Sequence, residues 1–212
     1  MASIPEPRWR RRKDERPSEI LQAALDSFAA RGFAATRLDD IATRAGVTRG
    51  TLYLYFTSKE GLFKAVVRQA ILPLLARSER LIARSSEPSP DLLRQLIVGI
   101  PGLITGSPFP AIPKLIIAEA NKFPDLAEFY LDEVLSRVRR RIKALLRRGM
   151  RRGEFRVLDV DHVFFCLVSP IVFAGLWRDV FGRFDKHAPD LDALCRTHAD
   201  LLLRGLAVVG EE

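Results

Sequence analysis

The 212 residues are 48% hydrophobic and 28% charged, the balance of a globular chain with a sizeable core rather than a disordered one. The net charge of +8 is unevenly spread: residues 1–85 carry 16 Lys and Arg against 9 Asp and Glu, and residues 86–212 carry 18 against 17. A positive excess confined to the first part of the chain predicts that this part meets a polyanion.

Residues 1–17 read as a flexible basic arm. Pro5, Pro7 and Pro17 interrupt helix, and Arg8, Arg10, Arg11, Arg12 and Lys13 surround Trp9, a run suited to a DNA groove. A first helix opens at Pro17-Ser18, with Ile20, Leu21, Ala24, Leu25, Phe28 and Ala29 on one stripe, and closes at Gly32. Thr36 is placed to cap a second helix that carries Asp39 and Asp40 in its first turn. Gly46-Val47 breaks that helix, and Thr48 caps a short third one to Phe56. Ser58 caps a long fourth helix, which turns Leu62, Phe63, Val66, Val67, Ala70, Leu74 and Leu75 inward.

The Pro- and Ser-rich stretch from Ser85 to Pro90 is the best linker candidate. Helices are then predicted from Asp91 to Ile104, Ala111 to Asn121, Pro124 to Arg152, Asp159 to Phe181 and Pro189 to Val209, with a broken loop from Gly106 to Pro110. No alternating strand pattern occurs, so the fold class is all-α with about nine helices. The predicted organisation is an arm (1–17), a helix-turn-helix domain (18–65) and a C-terminal helical domain (66–212) for ligand binding and dimerisation.

The segment Leu38 to Phe56 is where the chain becomes specific. Two short helices joined by a Gly-containing turn form a helix-turn-helix pattern, in which Ala42 and Ala45 permit close approach and Gly46 supplies the turn. Val47, Leu52 and Phe56 are spaced to face the core, leaving Arg49, Gly50, Tyr53 and Leu54 outside. Arg49 suits guanine and Leu54 a thymine methyl. The hydroxyls of Thr36, Thr48, Thr51, Tyr53 and Tyr55, with the Lys59 ammonium, suit phosphates.

The run from Thr36 to Leu62, with Gly-Val-Thr-Arg-Gly-Thr-Leu-Tyr-Leu-Tyr-Phe and then Ser-Lys-Glu-Gly-Leu, resembles the DNA-binding domain of the tetracycline-repressor (TetR) family. The resemblance covers residues 18–65. It implies a homodimer that binds near-palindromic double-stranded DNA through three N-terminal helices, and a divergent helical domain for a small effector. By position it implies base contacts from Arg49, Gly50, Tyr53 and Leu54 and phosphate contacts from Thr36, Arg37, Thr51, Tyr55 and Lys59. It also implies that the fourth helix transmits ligand state to the DNA head. Further on, Glu119-Ala-Asn-Lys-Phe-Pro-Asp-Leu126 resembles a motif of regulators related to multidrug-efflux and quorum-sensing repressors.

A pocket is predicted around Leu103, Phe109, Ile112, Leu115, Ile116 and Phe123, with Glu119 as its polar contact and Phe173 and Trp177 closing the other side. Such a lining asks for a largely hydrophobic ligand, and Glu119 would suit a cationic group. The stretch Asp159 to Phe181 is apolar nearly all round and must be covered on more than one face. With the last helix it is expected to form the dimer interface, through Phe164, Leu167, Val168, Ile171, Leu194, Leu201 and Leu202.

No signal peptide is visible, and the apolar run from Val163 to Trp177 is shorter than the roughly 18–20 residues that span a bilayer. A cytoplasmic protein without membrane contact is expected. Cys166 and Cys195 read as buried thiols of a reducing compartment. His162, His187 and His198 have no partners at catalytic or metal-binding spacing, so neither an enzyme nor a cofactor is expected.

Overall fold

The computed structural model describes residues 8–104, 111–187 and 190–208, and every regular element among them is helical. In chain order these are α1 (Arg8–Ala35), α2 (Leu38–Arg44), α3 (Arg49–Tyr55), α4 (Lys59–Arg84), α5 (Ser89–Val98) and α6 (Ile100–Ile104). They are followed by α7 (Ala111–Glu119), α8 (Pro124–Tyr130), α9 (Ser136–Arg151), α10 (Val160–Phe181) and α11 (Leu191–Leu206). A π-helical turn, Leu131–Leu135, joins α8 to α9. The predicted run from Pro124 to Arg152 is therefore continuous, and it stops at Gly153, whose φ of 68° only glycine adopts readily.

The helices form two units, Met1–Ala70 with Leu115–Glu128 and Ile71–Lys114 with Phe129–Glu212. In the first, Ile20, Ala24, Leu25 and Phe28 of α1 recur at helical spacing and bury themselves with Ile41 of α2, Leu52 of α3 and Leu62, Phe63, Val66 and Val67 of α4. The rings of Phe28, Phe33 and Phe63 stand 5.4–5.5 Å apart, and Phe123 meets Phe33 edge-on at 4.8 Å. Each buried ring contributes about 1.5–3 kcal/mol.

Three local expectations change here. Helix α1 starts at Arg8 rather than at Ser18 and runs through Pro17, because Arg, Lys and Glu are good helix formers and the proline forfeits one backbone bond. Thr36 does not cap α2: the cap position is Arg37, whose side chain makes no capping hydrogen bond, while the Thr36 hydroxyl donates to the Gly32 and Ser27 carbonyls at 2.7 and 3.2 Å. The predicted helix from Asp91 to Ile104 divides at Gly99, since Pro101 has no N–H to offer the carbonyl of residue 97. Thr48 and Ser58 cap as expected, accepting from the Thr51 and Gly61 amides at 3.1 and 3.0 Å.

The second unit is centred on Leu92, Leu93 and Ile97 of α5, Ile142, Leu145 and Leu146 of α9, Val163, Phe164 and Leu167 of α10 and Cys195, Ala199 and Leu206 of α11. Gly149 lets the Phe155 ring lie against α9, where a β-carbon would sit 2.2 Å from it. The Ser85-to-Pro90 stretch is pinned rather than free. Arg148 donates to the Ser85 and Glu87 carbonyls and to the Ser89 hydroxyl at 3.1–3.2 Å, and the Ser89 amide donates to Glu154 at 2.9 Å. Hydrogen bonding from Ser89 holds the Glu154 carboxyl below the usual glutamate range.

Helix α10 spans 22 residues, longer than the apolar run read from the sequence, and by length and composition it suffices to cross a membrane. Only 22% of its apolar window is buried within the chain. Phe164 and Leu167, expected at a dimer interface, belong to that buried part and pack within their own chain. The uncovered stripe carries Phe165, 55% exposed, and Phe173, 61% exposed, with Cys166, Ser169 and Pro170 between them. Leu201 of α11 is exposed as well, whereas Val168, Ile171, Leu194 and Leu202 are half-buried. The sequence marked α10 as apolar all round, and such a helix carries no phase to say which face its own chain covers. Cys195 is buried as expected, and Cys166 is exposed.

Candidate nucleic-acid interface

The exposed face of the helix-turn-helix lies on α3, the expected recognition element. Leu52, with no exposed surface, anchors its inner side in the core, and one helical turn cannot hide the residues around it. Arg49, Gly50, Tyr53 and Leu54 are accordingly exposed, Leu54 to 83%, and Tyr55 stands at their edge. Thr48 and Thr51 lie at the N-terminus, their hydroxyls 2.9 Å apart, where amide dipoles add positive potential. Arg37, 77% exposed at its side chain, stands at the start of α2.

Arg49 is held by its neighbours. Its Nε lies 3.2 Å from Asp39 Oδ1, and its guanidinium stacks 5.4 Å from the Tyr53 ring centre. The Tyr53 hydroxyl first, and then the Asp39 charge, raise its pKa above the usual arginine range, so it is cationic at any working pH. The pairing with Asp39 was not anticipated. Its only signal in the sequence is an acid ten residues before a base, on the other side of a tight turn.

Gly50 is exposed, and a β-carbon built there meets nothing closer than the Thr48 hydroxyl at 3.9 Å. Nothing in the folded chain requires glycine at this helical position, where it costs about 0.5–1 kcal/mol relative to alanine. A glycine without an internal reason leaves room for an external surface to approach the helix backbone.

Two expected phosphate contacts are not on this face. Thr36 is 2% exposed and its hydroxyl is used internally. Lys59 Nζ donates to the carbonyls of Phe33, Ala34 and Thr36 at 2.9, 3.1 and 3.1 Å and stacks 4.6 Å from the Phe33 ring centre. Its ammonium carries three donors, and each has an acceptor. Lys59 is thus a clasp on the C-terminal end of α1, where the helix leaves carbonyls unpaired.

The fold and this exposed face coincide with a known type. Residues 20–66 match the model for bacterial regulatory proteins of the tetR family, and residues 91–180 match the tetracyclin repressor-like C-terminal domain. Over 157 residues the chain is 34% identical to the HTH-type transcriptional repressor KstR2 of Mycolicibacterium smegmatis, covering 70% of this chain and 72% of that protein. The chain belongs to the TetR family. It is a DNA-binding transcriptional regulator with an N-terminal helix-turn-helix and a C-terminal helical domain. Among solved structures it is similar to the ketosteroid transcriptional regulator KstR2 of Mycobacterium tuberculosis, with a TM-score of 0.70, 26% identity and coverage of 92% and 96% of the two chains. It also shares the fold of FadR from Bacillus subtilis, solved in complex with stearoyl-CoA, with a TM-score of 0.77, 24% identity and coverage of 89% and 98%.

The residues expected around an effector pocket in this TetR-family regulator divide between the two units. Phe109 and the Leu103 side chain lie outside the described residues. Leu115, Ile116, Glu119 and Phe123 fall in the first unit, and Ile112, Phe173 and Trp177 in the second. Glu119 accepts from the Ala34 amide and Phe123 packs on Phe33, so both serve the DNA-binding unit. Trp177 donates to Asp185 at 2.7 Å, and Phe173 is exposed beside it.

The second unit has a different opening, an apolar cleft of about 50 Å³ between α4, α5 and α9, lined by Leu75, Ile82, Leu96, Val138 and Ile142. Glu79, Arg137 and Arg141 stand at its edge. Arg137 donates to both Glu79 oxygens at 3.1–3.3 Å, and Arg141 Nε lies 3.6 Å away. The bond from Arg137 holds the Glu79 carboxyl below its ordinary range. Two arginines against one carboxylate leave a net positive rim.

Proposed function

We propose that the chain is a dimeric repressor that reads a near-palindromic operator and is released by an amphiphilic anion of the acyl-thioester class. The observation that carries DNA reading is the outward face of α3: Arg49, Gly50, Tyr53 and Leu54, exposed on a helix whose other side is fixed by Leu52. Arg49 and Tyr53 serve base edges, Leu54 serves a thymine methyl, and Gly50 permits close approach. Arg37, Thr48, Thr51 and Tyr55 flank that face and serve phosphates. The protein acts by binding rather than by catalysis, in the cytoplasm where the chromosome lies.

The uncovered stripe of α10 supports the dimer. Phe165 and Phe173 together with Leu201 of α11 form an apolar face that a second copy would cover, and a twofold pair of recognition helices would sit about 34–36 Å apart, one turn of B-DNA. The arginine rim of the second unit supports an anionic effector, while the cleft beside it, at about 50 Å³, is too small to hold an acyl chain in this conformation. The sequence favoured a hydrophobic ligand with room for a cation, whereas Arg137 and Arg141 suit an anion, and the FadR relative was solved with stearoyl-CoA.

The test is anisotropy with labelled DNA selected from the parent genome. Random DNA should compete at least about a thousandfold less well than the selected site, and stearoyl-CoA should release the site. Equal competition by random DNA refutes the operator reading. A failure of every acyl thioester refutes the effector reading alone.

A further inference from the structure

The motif that begins at Glu119 takes part neither in the exposed face of α3 nor in the cleft of the second unit, and it breaks local rules. Glu119 closes α7, so a carboxylate sits at the end of a helix where the dipole disfavours negative charge. Its Oε1 accepts from the Ala34 amide at 3.2 Å, while Oε2 is buried without a hydrogen-bond partner among the described residues. A buried carboxylate oxygen left unpaired costs free energy. A residue placed against local preference points to a functional task.

We infer that Glu119 is a positioning residue for the recognition helix, acting by locking the joint between α1 and α2. The inference rests on the reading that α3 contacts DNA bases. At the joint, Gly32 turns the chain with φ 80° and ψ 166°, and a β-carbon there would lie 3.2 Å from Glu119 Oε1, so the carboxylate is in close contact with the kink itself. Ala34, two residues on, is gripped at both ends of its backbone: its amide by Glu119, its carbonyl by Lys59. Phe123, one turn beyond Glu119, closes on Phe33 beside it. Helix α2 begins at Leu38, so the peptides held by these contacts set the angle at which α2, and α3 after it, leave α1.

Base contacts demand closer alignment than phosphate contacts, so loosening the joint should lower specific binding more than non-specific binding. The test compares wild type, Glu119→Gln and Glu119→Ala in the full chain. It measures affinity for the selected operator and for random DNA, together with hydrogen exchange at the Ala34 amide. Glutamine keeps an acceptor oxygen and should stay within about threefold of wild type for both DNAs. Alanine should weaken operator binding about tenfold, as for one lost base contact, leave random-DNA binding unchanged and speed exchange at Ala34. Equal impairment by glutamine and alanine, wild-type specificity in E119A, or a parallel fall on both DNAs would each overturn the inference. If E119A does not fold, a tenfold loss in E119Q overturns it and wild-type binding by E119Q with a protected Ala34 amide upholds it. A wild-type protein that shows no operator preference instead removes the base-reading premise.

Discussion

Replacing Lys59 by methionine separates a structural clasp from a phosphate contact. Methionine keeps an apolar stem over the Phe33 ring but removes the ammonium from the Phe33, Ala34 and Thr36 carbonyls. Hydrogen bonds from a charged donor contribute about 1.5–3 kcal/mol each when sheltered. Lys59 is half-exposed and water can take over part of each carbonyl, so the total expected is about 1–3 kcal/mol. A central value of about 2 kcal/mol lowers Tm by roughly 4–8 °C in a chain of this size. Urea unfolding gives the stability, and anisotropy across a salt series gives the charge count at the DNA. A lost phosphate contact makes the slope of log K against log salt shallower by about 0.9. The clasp predicts reduced stability with an unchanged slope. Stability within about 0.5 kcal/mol of wild type, combined with a shallower slope, would refute the structural assignment and restore the phosphate role.

Gly50→Ala should raise stability by about 0.5–1 kcal/mol in urea unfolding, since the folded chain has room for the methyl, while weakening operator binding; improved or unchanged DNA affinity would count against close approach at Gly50. Phe165→Glu with Phe173→Glu should give a folded monomer in sedimentation velocity with at least about tenfold weaker operator binding, and a persistent dimer would move the interface elsewhere. Phe164→Glu buries a charge in the chain's own core and should cost about 3 kcal/mol or more, seen as loss of cooperative unfolding. Glu154 has a depressed folded-state pKa, so the stability it contributes is present at neutral pH and lost as the pH falls toward that value. Wild type should therefore lose its advantage over Glu154→Gln below about pH 4.3, and a difference independent of pH would show that the carboxylate is not the group responsible.

The parts legible in the sequence are those fixed by local rules. The caps at Thr48 and Ser58, the kink at Gly32, the stop at Gly153 and the outward set on α3 each follow from residues a few positions apart. A lysine next to α3 suits phosphate and helix carbonyls equally, and only the packing of α4 on α1 shows Lys59 on the carbonyls of Phe33, Ala34 and Thr36. Glu119 reads from the sequence as a pocket residue for a related reason. Its partner, Ala34, lies 85 residues away, and nothing in the local pattern shows that residues 115–128 pack with the DNA-binding unit. The same limit separates Phe164 from Phe165: adjacent phenylalanines on an all-apolar helix differ only in what faces them.

The acids around the recognition face bear on specificity as well as on stability. Asp39 pairs with Arg49, and Asp40 with Arg31 at 2.7 Å, both on the exposed surface of the DNA-binding unit. Exposed ion pairs contribute only about 0–1 kcal/mol, so the Asp39 contact does little to hold the fold and is easily given up. What it does is keep Arg49 extended beside Tyr53 before DNA arrives, which spares part of the entropy of ordering a long side chain on binding. On the proposed reading that Arg49 meets a base edge, a guanine would take the place of the Asp39 carboxylate as its acceptor, and a duplex that offers no such edge would leave the Asp39 pair in place.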